Sequence, residues 1–204
     1  VTPTRRPRAP TFRPSKTTAG PAVVARVYAL ECMSDFNGKV ALVTGVNSGL
    51  GAETLRVLTL RGAHVLGTAR TLEKATAACA PAGARATPFA LELTDFDSVA
   101  ACADAVRREG VALDMLVCNA GIMALPQLEQ VNGLEKHFVT NHLGHFLLVN
   151  RLLDRVVAAP QGRVVVVSSR GYLWAPPEGI EFENASGKPV RLRSLHVMNR
   201  PAQV

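Results

Sequence analysis

The chain has 204 residues, of which 48% are hydrophobic, and this composition is enough for one folded domain with a substantial apolar core. No apolar run approaches the roughly 20 residues that a membrane-spanning helix needs, so no transmembrane segment is expected. The four cysteines are scattered without a Cys-x-x-Cys pair, which excludes a disulfide framework or a zinc site and favours free thiols in a reducing compartment.

The formal net charge of +7 belongs to the two ends of the chain. Residues 1–30 contain six basic and no acidic residues, and residues 184–204 contain four basic and no acidic residues. The segment between them, 31–183, keeps 13 of the 23 basic residues and all 16 acidic ones, a net charge of −3. Because nucleic acids require a basic surface, no nucleic-acid groove is expected on the folded part.

Residues 1–35 form a leader rich in Pro, Arg and Thr, in which five prolines and few large apolar side chains preclude a packed element. Such an Arg-containing leader with almost no acidic residues resembles an organelle transit peptide, which would place the protein in a plastid or a mitochondrion. The alternatives are a disordered basic tail on a cytoplasmic protein, or sequence outside the mature protein, since the chain begins with Val and not Met.

From Gly38 onward, strand-like and helix-like segments alternate. The predicted strands cover residues 39–44, 63–69, 85–91, 113–118 and 163–168, and the predicted helices cover 50–61, 71–80, 95–108 and a long segment near 132–158. This alternation predicts an α/β fold, a single domain over residues 36–183 with a doubly wound parallel sheet of about five strands. The unbroken apolarity of the first, fourth and fifth strands favours strands buried on both faces.

The first strand runs into a glycine-rich turn, Thr-Gly-Val-Asn-Ser-Gly-Leu-Gly at residues 44–51, and a helical pattern follows. A strand, a glycine turn and a helix in this order are typical of a site for a dinucleotide pyrophosphate. The first glycine permits the tight turn, the second lets backbone approach the phosphates, and the third lets the helix pack closely on the strand. The candidate cofactor-binding residues of this turn are Gly45, Asn47, Ser48, Gly49, Leu50 and Gly51.

Open parallel sheets bind ligands at the carboxyl ends of their strands, and the second predicted strand ends just before Arg70. A site for NAD usually has an acidic residue near this end, which holds the ribose hydroxyls. Arg70 could instead pair with the 2′-phosphate of NADP, so NADP is favoured over NAD as the cofactor. The alternative is an arginine that simply lies on the surface.

The ends of the next three strands supply further candidates. Glu92 follows the third strand, with Leu93 beside it, and could contact the adenine edge, whereas Thr94 is expected to N-cap the next helix. The small residues after the fourth strand permit close approach to a bound cofactor; they are Asn119, Ala120 and Gly121. The fifth strand ends at Ser168 and Ser169, which places two hydroxyls where chemistry would occur.

Four segments together resemble successive motifs of the short-chain dehydrogenase/reductase family. They are the turn at 44–51, Asn119-Ala-Gly121, Asn141-His-Leu-Gly-His-Phe146 and Val164-Val-Val-Val-Ser-Ser169. The extended matches Asn119-Ala-Gly-Ile-Met123 and Gly133-Leu-Glu bring the chain closest to the retinol-dehydrogenase-like and WW-domain oxidoreductase branch. The resemblance covers about residues 36–183. Cys118 and Glu92 depart from the family pattern, in which Asn and Asp are usual at these positions.

The resemblance implies a Rossmann-like fold and hydride transfer between a nicotinamide cofactor and a small carbonyl or alcohol substrate. Ser169 matches the family serine that hydrogen-bonds the substrate oxygen, and Ser168 is then expected to be buried at the strand end. Asn141 matches the asparagine that supports a proton relay. Because Asn141 also lies on a largely apolar helical stripe, it should have hydrogen-bond partners.

Three histidines, His137, His142 and His145, lie along the long predicted helix. No carboxylate or cysteine completes a ligand set with them. The family resemblance already accounts for the Asn-His-Leu-Gly-His segment, so no metal site is predicted.

In this family a Tyr-x-x-x-Lys helix follows the serine, and its Tyr exchanges the proton while its Lys lowers the pKa of that phenol. Here only Tyr172 follows Ser169, and Pro176 stands four residues later. The sequence also turns basic and aperiodic after Glu183. We therefore expect a truncated copy, an incomplete gene product or an alternative product with a divergent tail at 184–204.

Loss of the missing helix would leave the fifth strand as an exposed apolar edge, with one face of the sheet and the long helix uncovered. A homo-oligomer is expected only where the missing helix is present. Three functions remain open. The first is part of an NADP-dependent short-chain oxidoreductase that is inactive as written, the second is an inactive nucleotide-binding or regulatory module, and the third is an interaction protein that uses the uncovered edge.

Overall fold

The computed structural model describes residues 35–169 as alternating strands and helices. In chain order these are β1 (Val40–Thr44), α1 (Gly49–Leu60), β2 (His64–Ala69), α2 (Leu72–Cys79), a 3₁₀ helix (Ala80–Arg85), β3 (Ala86–Ala90), α3 (Phe96–Arg108), β4 (Met115–Cys118), the short strands β5 (Gln130–Val131) and β6 (Leu134–Glu135), α4 (Lys136–Phe138), a π-helical turn (Val139–Leu143), α5 (Gly144–Val157) and β7 (Arg163–Val166). The predicted leader and tail lie outside the described residues.

Five strands form one parallel sheet in the order β3-β2-β1-β4-β7. The strand order reverses between β1 and β4, because β2 and β3 lie on one side of β1 and the later strands lie on the other. Such a reversal leaves a crevice at the carboxyl ends of the two central strands, where ligands of open α/β sheets bind. The predicted doubly wound parallel sheet is confirmed.

Apolar side chains cover the sheet on both faces, because β1 sends alternate residues to opposite sides. Leu42 joins one cluster with Val99 of α3 and Leu148 of α5. Ala41 and Val43 join a second cluster with residues of α1. Helices on both faces explain why β1 and β4 read as continuous apolar runs.

The N-termini of α2 and α3 follow ordinary capping chemistry. The Thr71 hydroxyl accepts a hydrogen bond from Lys74 N–H at 3.3 Å. Asp95 accepts from the N–H groups of Asp97 and Ser98, so Asp95 is the N-cap of α3. The expectation that Thr94 caps this helix is wrong by one residue, because Asp95 has the stronger capping carboxylate in reach.

A β-hairpin replaces the start of the long predicted helix. The helix begins at Lys136, whereas the prediction placed it near residue 132. Asn132 and Gly133 both have positive φ, at 52° and 76°, which is the backbone of the turn that an Asn-Gly pair favours between two antiparallel strands. The π-helical turn Val139–Leu143 then interrupts the helix, a local widening that is frequent at functional sites.

The edge strand β7 differs from the other strands in its burial. The prediction from apolarity alone, burial on both faces, is wrong, since all four of its residues are exposed. Val166 and Val167 are 65% and 47% exposed, and on α5 Phe146, Leu153 and Val157 are exposed as well. This pattern agrees with the expectation of an uncovered fifth strand and helix face. Within residues 35–169, every helix is too short or too polar to cross a bilayer.

Candidate functional site

The glycine turn after β1 is fixed by close backbone contacts. The N–H groups of Gly45 and Val46 both donate to the Thr68 carbonyl at 2.9 Å, which joins the turn to β2. A Cβ atom on Gly51 would lie 2.1 Å from the Gly45 oxygen, and one on Gly45 would lie 2.9 Å from the Ala120 Cβ. Residues 45 and 51 therefore admit only glycine in this geometry, as the sequence predicts.

The N-terminus of α1 lacks the caps that α2 and α3 have. The Ser48 side chain makes no capping hydrogen bond among the described residues, and the first turn of α1 holds no acidic residue. Asn47, Ser48, Gly49 and Leu50 are all exposed. The first N–H groups of a helix need acceptors, and together with the helix dipole they favour an anion. This helix end is therefore available to a phosphate.

The Thr44 hydroxyl joins the carboxyl ends of β1 and β4. The N–H groups of Asn119 and Ala120 both donate to Thr44 Oγ1 at 2.9 Å. The Asn119 side-chain amide also donates to the Thr44 carbonyl at 2.8 Å. These bonds place Asn119–Gly121 beside the glycine turn, so the structure brings together two of the motifs that the sequence separates by about 70 residues.

His145 reaches Thr44 from α5 on the same face of the sheet. Its Nε2 lies 2.9 Å from Thr44 Oγ1, and its Nδ1 lies 3.2 Å from the Asn141 carbonyl oxygen. The ring is buried, and this burial lowers the pKa of His145; the nearby His142 acts in the same direction and the Asn141 carbonyl opposes it. Both ring nitrogens have protein partners, so the ring links Thr44 to the Asn141 carbonyl through hydrogen bonds.

Asn141 is held by the backbone of the loop after β4. Its Oδ1 accepts from Ile122 N–H, and its Nδ2 donates to the Ile122 carbonyl, both at 2.9 Å. The expected partners are therefore present. Asn141 lies on the π-helical turn and is exposed beside the loop after β4.

Three further candidates lie at the ends of β2 and β3. Arg70 is exposed immediately after β2. The Glu92 carboxylate accepts from the N–H and the hydroxyl of Thr94, at 3.0 Å and 2.8 Å, so it is turned onto its own loop. Leu93 is buried in the core, and its carbonyl lies so close to α5 that a Cβ on Gly144 would meet it at 2.4 Å.

The end of β7 holds the two candidate serines. Val167 N–H donates to the Cys118 carbonyl at 3.0 Å, which carries the pairing with β4 one residue past the strand. Ser168 and Ser169 are both exposed, so the expectation that Ser168 is buried is wrong. Burial raises the pKa of the Cys118 thiol to about 11, which keeps it protonated at neutral pH. Tyr172 lies outside the described residues.

Sequence reasoning missed the roles of Thr44 and His145. Thr44 belongs to the glycine motif and His145 to the motif at residues 141–146, but neither is among the site residues that the sequence predicts. The signal for His145 was its position four residues after Asn141 on an apolar helical stripe. A buried imidazole needs hydrogen-bond partners, and the polar ends of β1 and β4 supply them.

A family model described as short chain dehydrogenase matches residues 39–178. The chain belongs to the short-chain dehydrogenase family. It is 39% identical over 166 residues to the WW domain-containing oxidoreductase of Homo sapiens, a match that covers 78% of this chain and 40% of that protein. It is 39% identical over 156 residues to retinol dehydrogenase 12 of Mus musculus, which covers 74% of this chain and 48% of that protein. The chain spans less than half the length of these two relatives.

Solved structures share the fold. A metagenomic short-chain oxidoreductase in complex with NADP is 29% identical, with a TM-score of 0.60, over 76% of this chain and 72% of that chain. The 3-ketoacyl-(acyl-carrier-protein) reductase from Brucella melitensis, complexed with NADH, is 26% identical, with a TM-score of 0.51, over 59% of this chain and 51% of that chain. These structures confirm the Rossmann-like sheet, and the two relatives named above confirm the expected branch of the family.

Proposed function

We propose that this chain binds NADP at the crevice between β1 and β4, as the cofactor-binding part of a short-chain oxidoreductase. The observation that carries the proposal is the N-terminus of α1, uncapped within the described chain and lying directly over a turn that only glycine fits. An unfilled set of helix N–H groups at a switch point of the sheet is the arrangement that receives a pyrophosphate.

The residues present fit a dinucleotide. Gly49 has positive φ and open space where a Cβ would stand, so backbone at the turn can approach a phosphate closely. The residues beside the turn have short side chains or none and permit close approach of a bound cofactor; they are Asn119, Ala120 and Gly121. When bound, the nicotinamide supplies or takes up the hydride. The chain's own residues hold the pyrophosphate at α1 and orient the rest of the cofactor along the ends of β4 and β7.

The preference for NADP rests on Arg70. This guanidinium is exposed at the end of β2, and the two residues before it, Thr68 and Ala69, carry no acidic group that would hold an unphosphorylated ribose. The related structures include one complex with NADP and one with NADH, so they support either cofactor. A charge-assisted bond from Arg70 to a 2′-phosphate favours NADP.

The catalytic part of the proposal concerns Asn141 and Ser169. Asn141, held at the crevice mouth by Ile122, supports a proton relay, and Ser169 hydrogen-bonds the oxygen of a carbonyl or alcohol substrate. The 204 residues contain no Tyr-x-x-x-Lys sequence. Without a phenol of lowered pKa, proton transfer at neutral pH loses its donor. We therefore propose that this chain binds the cofactor and carries out little or no turnover.

The test is to titrate the purified 204-residue chain with NADPH and with NADH and to measure both affinities by calorimetry. Arg70→Ala should weaken NADPH binding about tenfold, which corresponds to the loss of one charge-assisted contact, and should leave NADH binding within about twofold. The matched control is Arg108→Ala, an exposed arginine at the carboxyl end of α3, which should leave both affinities unchanged. Equal losses for the two cofactors would contradict the role of Arg70, and no saturable binding by the unchanged chain would contradict the proposed function.

A further inference from the structure

Thr44 and His145 form a buried polar pair that joins β1 to α5. The residues are 101 positions apart in the sequence, and their side chains are both buried, with relative exposures of 0% and 5%. A buried polar pair persists when its hydrogen-bonding groups are satisfied. The surrounding hydrogen bonds show how this pair is satisfied.

The proton positions follow from the partners. His145 Nδ1 faces the Asn141 carbonyl, which can only accept, so Nδ1 carries the proton. Burial lowers the pKa of His145, so the ring is neutral at pH 7 and its Nε2 has a free lone pair. The Thr44 hydroxyl therefore donates its proton to Nε2.

This assignment leaves Thr44 Oγ1 with two lone pairs, the number that its remaining partners need. The N–H groups of Asn119 and Ala120 donate to the same oxygen, each at 2.9 Å. The hydroxyl has one donor and two acceptor sites, and all three are then used. The competing acceptor for its proton, the Val117 carbonyl, lies farther away at 3.4 Å.

We propose that His145 is a positioning residue of the dinucleotide site, which fixes the Thr44 hydroxyl so that the loop Asn119–Gly121 is held beside the glycine turn. The role of this loop in cofactor binding rests on the proposed function, whereas the orientation of the hydroxyl does not. His145 also joins this loop to the π-helical turn, because its other nitrogen holds the carbonyl of Asn141. One imidazole thereby connects the cofactor side of the crevice with the helix that carries the relay residue.

Loss of the acceptor at position 145 has a specific consequence. With Phe in place of His, the Thr44 hydroxyl would turn its proton toward the Val117 carbonyl. The two lone pairs would then rotate away from both N–H groups. The Ala120 N–H would lose its acceptor, whereas the Asn119 N–H would keep the Val117 carbonyl, to which it also donates at 3.1 Å. The Ala120 amide would likewise be released in Thr44→Val, which removes the hydroxyl, and held in Thr44→Ser, which retains it.

The experiment measures amide hydrogen exchange of residues 119 and 120 in the full 204-residue chain. His145→Phe and Thr44→Val should each speed exchange of the Ala120 amide about tenfold, with a smaller change at Asn119, which keeps its bond to the Val117 carbonyl. The double variant should add little, because both changes remove one shared interaction. Leu148→Ala is the control, since Leu148 is equally buried on α5 but is not part of this link. It should lower global stability while the two amides keep their protection relative to the rest of the sheet. NADPH affinity should fall about fivefold in the first two variants and be retained in Thr44→Ser.

The outcomes separate the two proposals. If the unchanged chain binds no dinucleotide, the proposed function fails, and the exchange data still decide the role of His145. Normal protection of residues 119 and 120 in His145→Phe, with loss in Thr44→Val, would overturn the positioning role. Imidazole ¹⁵N NMR of the unchanged chain needs no variant: a proton on Nδ1 at pH 7 is expected, and a proton on Nε2 would overturn the assignment.

Discussion

At the carboxyl ends of β1 and β4, Thr44, His145 and Asn119 belong to one continuous set of hydrogen bonds, whereas the four residues of β7, at the edge of the same sheet, are exposed. The first region is closed by contacts from two strands and a helix, and Gly45 and Gly51 within it have no room for a side chain. The second has a partner strand on one side among the described residues. The proposed cofactor site therefore lies in a region where both neighbouring strands and a helix are present among the described residues. The proposed role of Ser169 lies at a strand that has a neighbour on one side only.

The two strands show why apolar sequence alone does not determine burial. Val-Ala-Leu-Val in β1 and Val-Val-Val in β7 are similarly hydrophobic. β1 has a neighbouring strand on each side and helices on both faces, so its side chains leave water. A side chain is stabilised by the apolar area that its neighbours cover.

The largest expected effect comes from adding a methyl group at Gly51 in the glycine turn after β1. Gly51→Ala should cost about 3 kcal/mol of unfolding free energy and more than about tenfold in NADPH affinity, since its Cβ would lie 2.1 Å from a backbone oxygen. Denaturant unfolding and NADPH titration measure the two losses. Gly110→Ala is the control, because Gly110 has positive φ but open space around it. It should cost about 1 kcal/mol without changing affinity, and an equal loss of affinity there would show that the turn is not special.

A matched pair of substitutions compares the two regions directly. Val43→Ala, at a residue with 0% exposure in β1, should lower the unfolding free energy by about 2 kcal/mol, because it removes two buried carbon groups and leaves a cavity. Val166→Ala, at 65% exposure in β7, should cost less than about 0.5 kcal/mol. Urea denaturation of both variants gives the comparison, and similar costs would mean that β7 is covered in solution.

The amino ends of β1 and β4 offer a smaller, pH-dependent effect, at Asp114. Burial acts to raise the pKa of Asp114, but hydrogen bonds from Val40 N–H and the Lys39 ammonium outweigh it and hold this pKa below its usual value. The unfolded state then binds the proton first as pH falls, so the stabilisation is complete above about pH 4 and is lost as pH falls through the lowered pKa.

Asp114→Asn should therefore reduce the unfolding free energy by about 1 kcal/mol at pH 7, with a difference that shrinks below pH 4. Unfolding curves between pH 7 and pH 3 measure it. NADPH affinity at pH 7 should not change, because Asp114 precedes β4 and lies away from the strand ends that form the crevice. A difference that stays constant with pH would contradict the assignment to a charged carboxylate.

The sequence predicts the sheet and the glycine turn well because both follow from local patterns. Apolar runs separated by helical segments specify βαβ units, and the glycine spacing specifies the turn. The hairpin could also have been predicted, since an Asn-Gly pair such as Asn132-Gly133 is the strongest short sequence signal for such a turn. The helical spacing of the residues around it favoured a helix instead.

The hydrogen bonds of the site could not be predicted from the sequence in the same way. The link between Thr44 and His145 depends on the packing of α5 against the sheet, which brings together residues 101 positions apart. Asn141 lies on a π-helical turn, which the helical spacing of the sequence does not specify. The predicted burial of Ser168 is wrong because β7 lies at the edge of the sheet and has no second neighbouring strand among residues 35–169.

The most direct measurement is amide hydrogen exchange of the purified 204-residue chain with and without saturating NADPH, read residue by residue. The prediction is slower exchange in the bound state at Gly45–Gly51 and Asn119–Gly121, with much smaller changes along Arg163–Ser169. Unchanged exchange at the glycine turn in the presence of NADPH, or protection confined to the edge strand, would contradict it.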